Sequence, residues 1–169
     1  MYIDDSGNLS VADIRSRCRR QQTRYGLDLV VIDYLGLLQL GNKRGSLVAD
    51  IAEATRALKI LAKELQVPIM LLCQLSRGSE SRKENGYRPI LADLRDSGAI
   101  EQDADMVLLL YRKALAMRNR KDDSEYGGAP AEEIEDNTAE VIVAKNRNGP
   151  LKTVNLAFQG MFSRFVNPT

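Results

Sequence analysis

The chain has 169 residues, enough for one globular domain and short for two. Hydrophobic residues make up 44% and charged residues 28%, the balance of an ordinary folded protein, which excludes a wholly disordered chain. Lys plus Arg is 24 against 23 Asp plus Glu, a net charge of +1. This excludes a uniformly basic nucleic-acid binder and leaves such binding to local patches.

No apolar run approaches the roughly 20 residues of a membrane span. The start, MYIDDSG, has neither a basic nor an apolar leader region, so no secretory signal is expected. The two cysteines, Cys18 and Cys73, stand at no metal-binding spacing, and there is no histidine. Zinc sites and Ser-His or Cys-His nucleophiles are therefore not expected, and two free thiols in a reducing cytosol are.

In chain order, Tyr2 to Asp4 is a short strand candidate, and Asp5-Ser6-Gly7-Asn8 reads as a turn. Ser10 is placed to cap a helix running to about Tyr25, with Gly26 closing it. Arg15, Arg17, Arg19, Arg20 and Arg24 lie on that helix. Such a run is usually a solvated face, with a phosphate contact as the sharper option. Leu27 to Leu38, LDLVVIDYLGLL, is nearly continuous apolar sequence and fits a strand buried on both faces of a parallel sheet. Asp33 interrupts it. Gly41 to Ser46 is a basic, Gly-containing loop. Leu47, Ile51, Ala54, Leu58, Leu61 and Leu65 alternate at spacings of four and three, the pattern of a long amphipathic helix.

Val67-Pro68 stops that helix, and Ile69 to Cys73 is a second buried strand ending in Gln74. Leu75 to Pro89 reads as a polar surface loop, Asp93 to Asp105 is mostly polar, and Met106 to Tyr111 is a third buried strand. Lys113 to Asn137 reads as a charged, partly disordered connector. Ala139 to Lys145 and Leu151 to Phe158 look like strands joined by an Asn-Gly turn, and Ser163 to Val166 adds an edge strand. Alternating strands and helices followed by a hairpin predict an α/β sheet with parallel crossovers, with no internal repeat and no second domain.

Four polar clusters stand out. In open parallel sheets, ligands sit at the carboxyl ends of strands. Asp33 is at such an end, where a carboxylate can hold Mg²⁺ beside a nucleotide phosphate, although a hydrogen-bonded loop-entry Asp is an equally ordinary outcome. Gln74 is at a second strand end, where an amide can orient water or read a phosphate, or simply open a loop. Lys145 and Arg147 flank the hairpin tip KNRNG. Alternate strand positions project together, so two cations share a face suited to an anionic site, or to water. Arg95, Asp96, Ser97 and Gly98 combine a cation, small polar groups and a glycine that permits close backbone approach to a nucleic-acid phosphate. The same residues also fit a plain helix start.

Taken in this order, LVVIDYLGLLQ, PIMLLCQLSR, RPILADLRDSGAIEQDADMVLLLYR and VIVAKNRNGP with LKTVNLAFQGMFSRF closely resemble the motor domain of replicative DNA helicases of the DnaB type. The resemblance covers nearly the whole chain and is most specific from Asp93 to Arg112. It implies a RecA-like ATPase fold assembled as a homo-hexamer around single-stranded DNA, with ATP bound between subunits. Residues 1–169 would then be the C-terminal part of a RecA-like helicase ATPase domain. By this resemblance Asp33 matches the Mg²⁺-holding Walker B aspartate, and Gln74 the glutamine coupling the γ-phosphate to DNA contacts. Lys145 and Arg147 match the pair reaching into the next subunit's ATP, with Arg147 as arginine finger. Arg95, Asp96, Ser97 and Gly98 fall in the DNA-facing loop, and Gly41 to Ser46 is similar in place to another channel loop. Primase and a helicase loader are implied partners, in the cytoplasm and with no membrane.

One departure is large. No GxxxxGK[ST] phosphate loop occurs in the sequence. In the family, that loop and the catalytic glutamate lie upstream of the segment matching residue 1. The expected fold is therefore a mostly parallel RecA-like sheet with flanking helices and a C-terminal β-hairpin, lacking the phosphate-loop strand and helix. The isolated chain is expected not to hydrolyse ATP at a helicase rate, because phosphoryl transfer depends on positioning and charge neutralisation. In the family the phosphate-loop strand lies between the strands matching Ile69–Cys73 and Met106–Tyr111. Those two strands either close together here or leave edges for another segment. The alternative function is a non-catalytic RecA-like module for DNA binding or protein interaction.

Overall fold

The computed structural model describes residues 1–40, 46–76, 87–94, 98–116 and 137–168. The chain divides into two compact units, Met1–Leu75 with Asp96–Ala104, and Ser76–Arg95 with Asp105–Thr169.

The first unit opens with helix α1, Val11–Tyr25. Ser10 caps it reciprocally: the Asp13 N–H donates to Ser10 Oγ at 3.2 Å, and the Ser10 N–H donates to the Asp13 carboxylate at 3.0 Å. This capping box satisfies two otherwise orphaned donors at the helix start. Gly26 ends the helix at φ 78°, a left-handed value that glycine reaches without Cβ strain. Tyr2 to Asp4 is irregular rather than a strand. Asp4 instead pairs with Arg17, which pins the N-terminal arm to the helix. Arg15 and Arg19 both pair with Glu64, the former at 2.6 Å. Three of the five arginines on α1 thus serve surface ion pairs within the chain.

Strand β1 is only Val30–Ile32, and Leu35–Leu37 forms a 3-10 turn, so the apolar run from Leu27 to Leu38 is not one long strand. Helix α2, Leu47–Leu65, follows the expected periodicity. It ends one residue before Val67-Pro68, because Gln66 turns left-handed (φ 56°) and its N–H donates back to the Ala62 carbonyl. Strand β2, Ile69–Leu71, pairs in parallel with β1, with Val30 opposite Ile69 and Ile32 opposite Leu71. One β-α-β crossover therefore forms as predicted.

Ile14, Ile32, Leu58, Leu61, Leu65 and Val67 form the core between the helices and this sheet, with Cys18, Val30, Ile69 and Leu71 packed against it. Leu61 is 2% exposed, and burying such a side chain contributes about 2 kcal/mol. The opposite face of the sheet, with Val31, Met70 and Leu72, is exposed. The expectation of burial on both faces is thus corrected, since a strand is doubly buried only where elements cover both faces. The short helix α3, Gly98–Asp103, packs on α2.

The second unit is a four-stranded antiparallel sheet in the order β3-β4-β5-β6: Met106–Tyr111, Thr138–Asn146, Lys152–Gln159 and Arg164–Val166. Val107, Leu109 and Tyr111 are buried, whereas Met106, Leu108 and Leu110 are about half exposed. The third strand is therefore covered on one face only. Phe158 stacks on Phe165 with ring centroids 5.0 Å apart, and the Arg112 guanidinium lies 3.5 Å from the Phe158 ring centroid, which ties β5 to β6 and to the end of β3.

Among the described residues, β1–β2 is the one parallel pairing. The expected mostly parallel sheet is corrected to an α/β fold with a small parallel sheet and a larger antiparallel one. Parallel pairing needs a crossover, and the hairpin-linked strands pair antiparallel instead. Among the described residues β2 pairs only with β1, and β3 only with β4. No helix among the described residues is long and apolar enough to cross a membrane.

The β4–β5 connection also differs from expectation. The ladder ends at Val143–Lys152, and neither Asn148 nor Gly149 has the positive φ that a two-residue type I′ turn requires. The Asn148 N–H donates to Asn146 Oδ1 at 3.2 Å instead. A Cβ at Gly149 would lie 2.8 Å from Asn146 Nδ2, so glycine serves here for close approach.

Candidate functional site

In the first unit, the in-register pairing of β1 with β2 places Asp33 and Gln74 beyond the carboxyl ends of neighbouring parallel strands. The main chain stays stitched past the ladder. The Leu72 N–H donates to Ile32 O at 2.9 Å, and the Leu35 N–H donates to Leu72 O at 2.9 Å. Asp33 and Gln74 are both exposed. Asp33 therefore carries no burial cost, contrary to the reading of a carboxylate sunk in an apolar strand. An exposed carboxylate at a strand end fits Mg²⁺, which keeps most of its waters and takes one or two carboxylates beside phosphate oxygens.

The Asp33–Tyr34 peptide bond is cis. The Tyr34 ring lies over Gly36, where a Cβ would come within 2.5 Å of it. Tyr34 was not singled out from the sequence. Its close approach to Gly36, two residues on, is a local contact with no periodic signal. Cys73, next to Gln74, is a free thiol, and burial pushes its pKa up.

Of the four residues expected to face DNA, Arg95, Asp96 and Ser97 lie outside the described residues, as does most of the loop from Gly41 to Ser46. Gly98 is the first residue of α3 and is exposed. Helix α3 is anchored by an interaction the sequence did not reveal. Thr55, 6% exposed in the middle of α2, donates its hydroxyl to Asp103 Oδ2 at 2.9 Å. A threonine inside an apolar helical stripe is the available signal, though its partner cannot be read from the pattern.

In the second unit, Lys145 lies near the end of β4, and Arg147 is the first residue beyond the strand. The face of Lys145 is set by a β-bulge. Val107 pairs with Lys145 but Leu108 pairs with Val143, which leaves Ala144 as the extra residue. The bulge reverses the alternation, so Lys145 follows the phase of Ile142 and Glu140, on the same face as their buried β3 partners Val107, Leu109 and Tyr111. Lys145 is half-buried and Arg147 exposed. The Arg147 N–H donates to the Asp105 carbonyl at 2.9 Å, and its Nη1 lies 3.4 Å from Asp105 Oδ1, a long and half-exposed contact that a phosphate can displace. Farther along, Arg88 donates from Nε to Glu140 Oε2 at 2.9 Å and from Nη2 to Thr153 Oγ1 at 2.9 Å, bracing β4 against β5. Burial, with the Glu140 charge beside it, pushes the Tyr111 pKa up.

Comparison with known proteins agrees with the resemblance. Residues 1–167 match the family model described as the DnaB-like helicase C terminal domain. The replicative DNA helicase DnaB of Leifsonia xyli is 49% identical over 167 residues, 99% of this chain and 33% of that protein. That of Geobacillus stearothermophilus is 44% identical over 168 residues, 99% of this chain and 34% of that protein. A solved structure of a DnaB-like replicative helicase, from a study of its interactions with primase, superposes with a TM-score of 0.80 at 39% identity, covering 99% of this chain and 38% of that one. A second solved structure, described as an ATPase domain, gives 0.77 at 40% identity, covering 96% and 52%. The chain spans about a third of the length of the curated relatives it matches. With identity this high across almost every residue, and a shared fold, the chain belongs to the DnaB-like helicase C-terminal domain family.

Proposed function

We propose that this chain is part of the motor of a replicative DNA helicase, which couples ATP hydrolysis to movement along single-stranded DNA and to duplex unwinding. The observation that carries the reading is the parallel, in-register β1–β2 pair, which brings Asp33 and Gln74 to one end of one sheet within a chain of this family. Residues 1–169 then act as the C-terminal part of a RecA-like ATPase domain within a homo-hexamer in the cytoplasm. Primase and a loader are partners of the whole protein.

Each side chain has a physical task in this reading. Asp33 would hold Mg²⁺ through its carboxylate, and the ion, when bound, would supply charge neutralisation at the phosphates of ATP. Gln74 hydrogen-bonds near the terminal phosphate. Lys145 and Arg147 bring two cations from the bulged end of β4 to a neighbouring subunit's nucleotide, and Arg147 supplies a planar fork matched to phosphoryl oxygens. Arg95, Asp96, Ser97 and Gly98 contact the DNA backbone, where loss of counterions makes binding salt-dependent.

Subunit mixing tests this directly. In the full-length protein, Asp33→Asn and Arg147→Ala should each abolish DNA-stimulated ATP hydrolysis. Rings mixed from the two variants contain some interfaces with both native residues, so turnover should rise above either parent. Mixed rings that assemble but stay inactive would rule out an Arg147 acting in trans.

A further inference from the structure

We propose that Ser76 and Asp93 form a clasp that transmits nucleotide state to the DNA-facing segment. The inference rests on the roles proposed above for Gln74 and for Arg95 to Gly98. Ser76 follows Gln74 by two residues, and Asp93 precedes Arg95 by two. The Ser76 N–H donates to the Asp93 carbonyl at 3.0 Å, and the Ser76 hydroxyl donates to the same oxygen at 2.8 Å. A carbonyl oxygen has two lone pairs, and one residue here uses both.

The acceptor is itself held still. Asp93 is 2% exposed, its N–H donates to Ile90 O at 3.0 Å, and its carboxylate accepts the Ile90 N–H at 2.8 Å. A buried carbonyl fixed by the turn around it cannot follow a shifting donor by rotating alone. Displacing Ser76 must therefore either break both bonds or carry the Leu91–Asp93 turn with it. The two segments lie far apart in sequence yet are joined at one oxygen. A rearrangement at Gln74 on loss of the terminal phosphate is thus relayed toward Arg95. Ser76 and Asp93 are positioning residues and touch neither ligand.

The test uses the full-length helicase. Ser76→Ala keeps the main-chain bond and removes the hydroxyl. ATP turnover without DNA should stay within about twofold of the parent, whereas stimulation by single-stranded DNA should fall about three- to tenfold, the range expected for one hydrogen bond. Ser76→Thr restores the hydroxyl and should restore stimulation. Unchanged stimulation in Ser76→Ala overturns the clasp, and so does an equal fall in basal and stimulated turnover, which marks a merely structural role. Gln74→Ala separates the two levels. If it loses stimulation while Ser76→Ala does not, the Gln74 reading stands and the clasp falls; if it retains full stimulation, the Gln74 reading falls. One measurement needs no variant: adding single-stranded DNA should change the hydrogen exchange of the Ser76 amide, and an unaltered rate also overturns the proposal.

Discussion

Replacing Thr55 with Val removes one oxygen from the interior of α2 and keeps the branched shape. The Thr55 hydroxyl has one proton and two acceptors within reach, Asp103 Oδ2 at 2.9 Å and Ala52 O at 3.2 Å. The shorter, charged acceptor wins, and the Ala52 carbonyl stays in the helical ladder. A hydrogen bond to a charged group stabilises by about 1.5–3 kcal/mol when buried. Asp103 is half-buried, so water replaces part of the loss, and the net cost should be about 1 kcal/mol. For a chain of this length that lowers Tm by about 2–4 °C, or shifts a urea midpoint by roughly 0.5 M. The loss should be concentrated at α3, whose amides should exchange faster, while α1 keeps its protection. Thr55→Ser, which keeps the hydroxyl, should retain the protection of α3. Urea unfolding followed by circular dichroism, with hydrogen exchange read by mass spectrometry, measures both. A Val variant with the parent's midpoint and the parent's exchange at 98–103 would refute the idea that this bond anchors the helix.

Two further outcomes follow from named contacts. Deleting Ala144 removes the bulge but sets Lys145 directly after Val143, still opposite Val107 and on the same face; the full-length protein should therefore keep ATP turnover within about threefold, and a loss on the order of a thousandfold would show that the bulge itself is needed to aim Lys145. Hydrogen bonds from Arg17 hold the Asp4 carboxyl down at about 2 rather than 3.8. Because the folded value is depressed, the pairing contributes fully above pH 3.8 and is lost as pH falls through about 2. A carboxyl NMR titration should report the low midpoint, and Arg17→Ala should return it toward 3.8.

Local patterning determined much of this protein. The Ser10 cap and Gly26 stop of α1 were readable because capping is a matter of a few adjacent residues. The span of α2 followed from an apolar stripe at helical period, and the positions of β2, β3, β4 and β5 from short apolar runs. Asp33, Gln74, Lys145 and Arg147 could be picked out because polar groups at strand ends are conspicuous, and the quoted motifs named the family that comparison then bore out.

Other features belonged to tertiary structure alone. Continuous apolar runs cannot say how many faces of a strand are covered, which is why Val31, Met70, Met106, Leu108 and Leu110 came out exposed. Hydrophobic alternation also cannot say where one extra residue enters a ladder, yet Ala144 puts Lys145 in phase with Ile142 rather than with Val143. The links between Thr55 and Asp103 and between Ser76 and Asp93 join residues far apart in sequence. Such bonds depend on where the chain returns after a turn, and that is settled by packing rather than by any neighbouring residue.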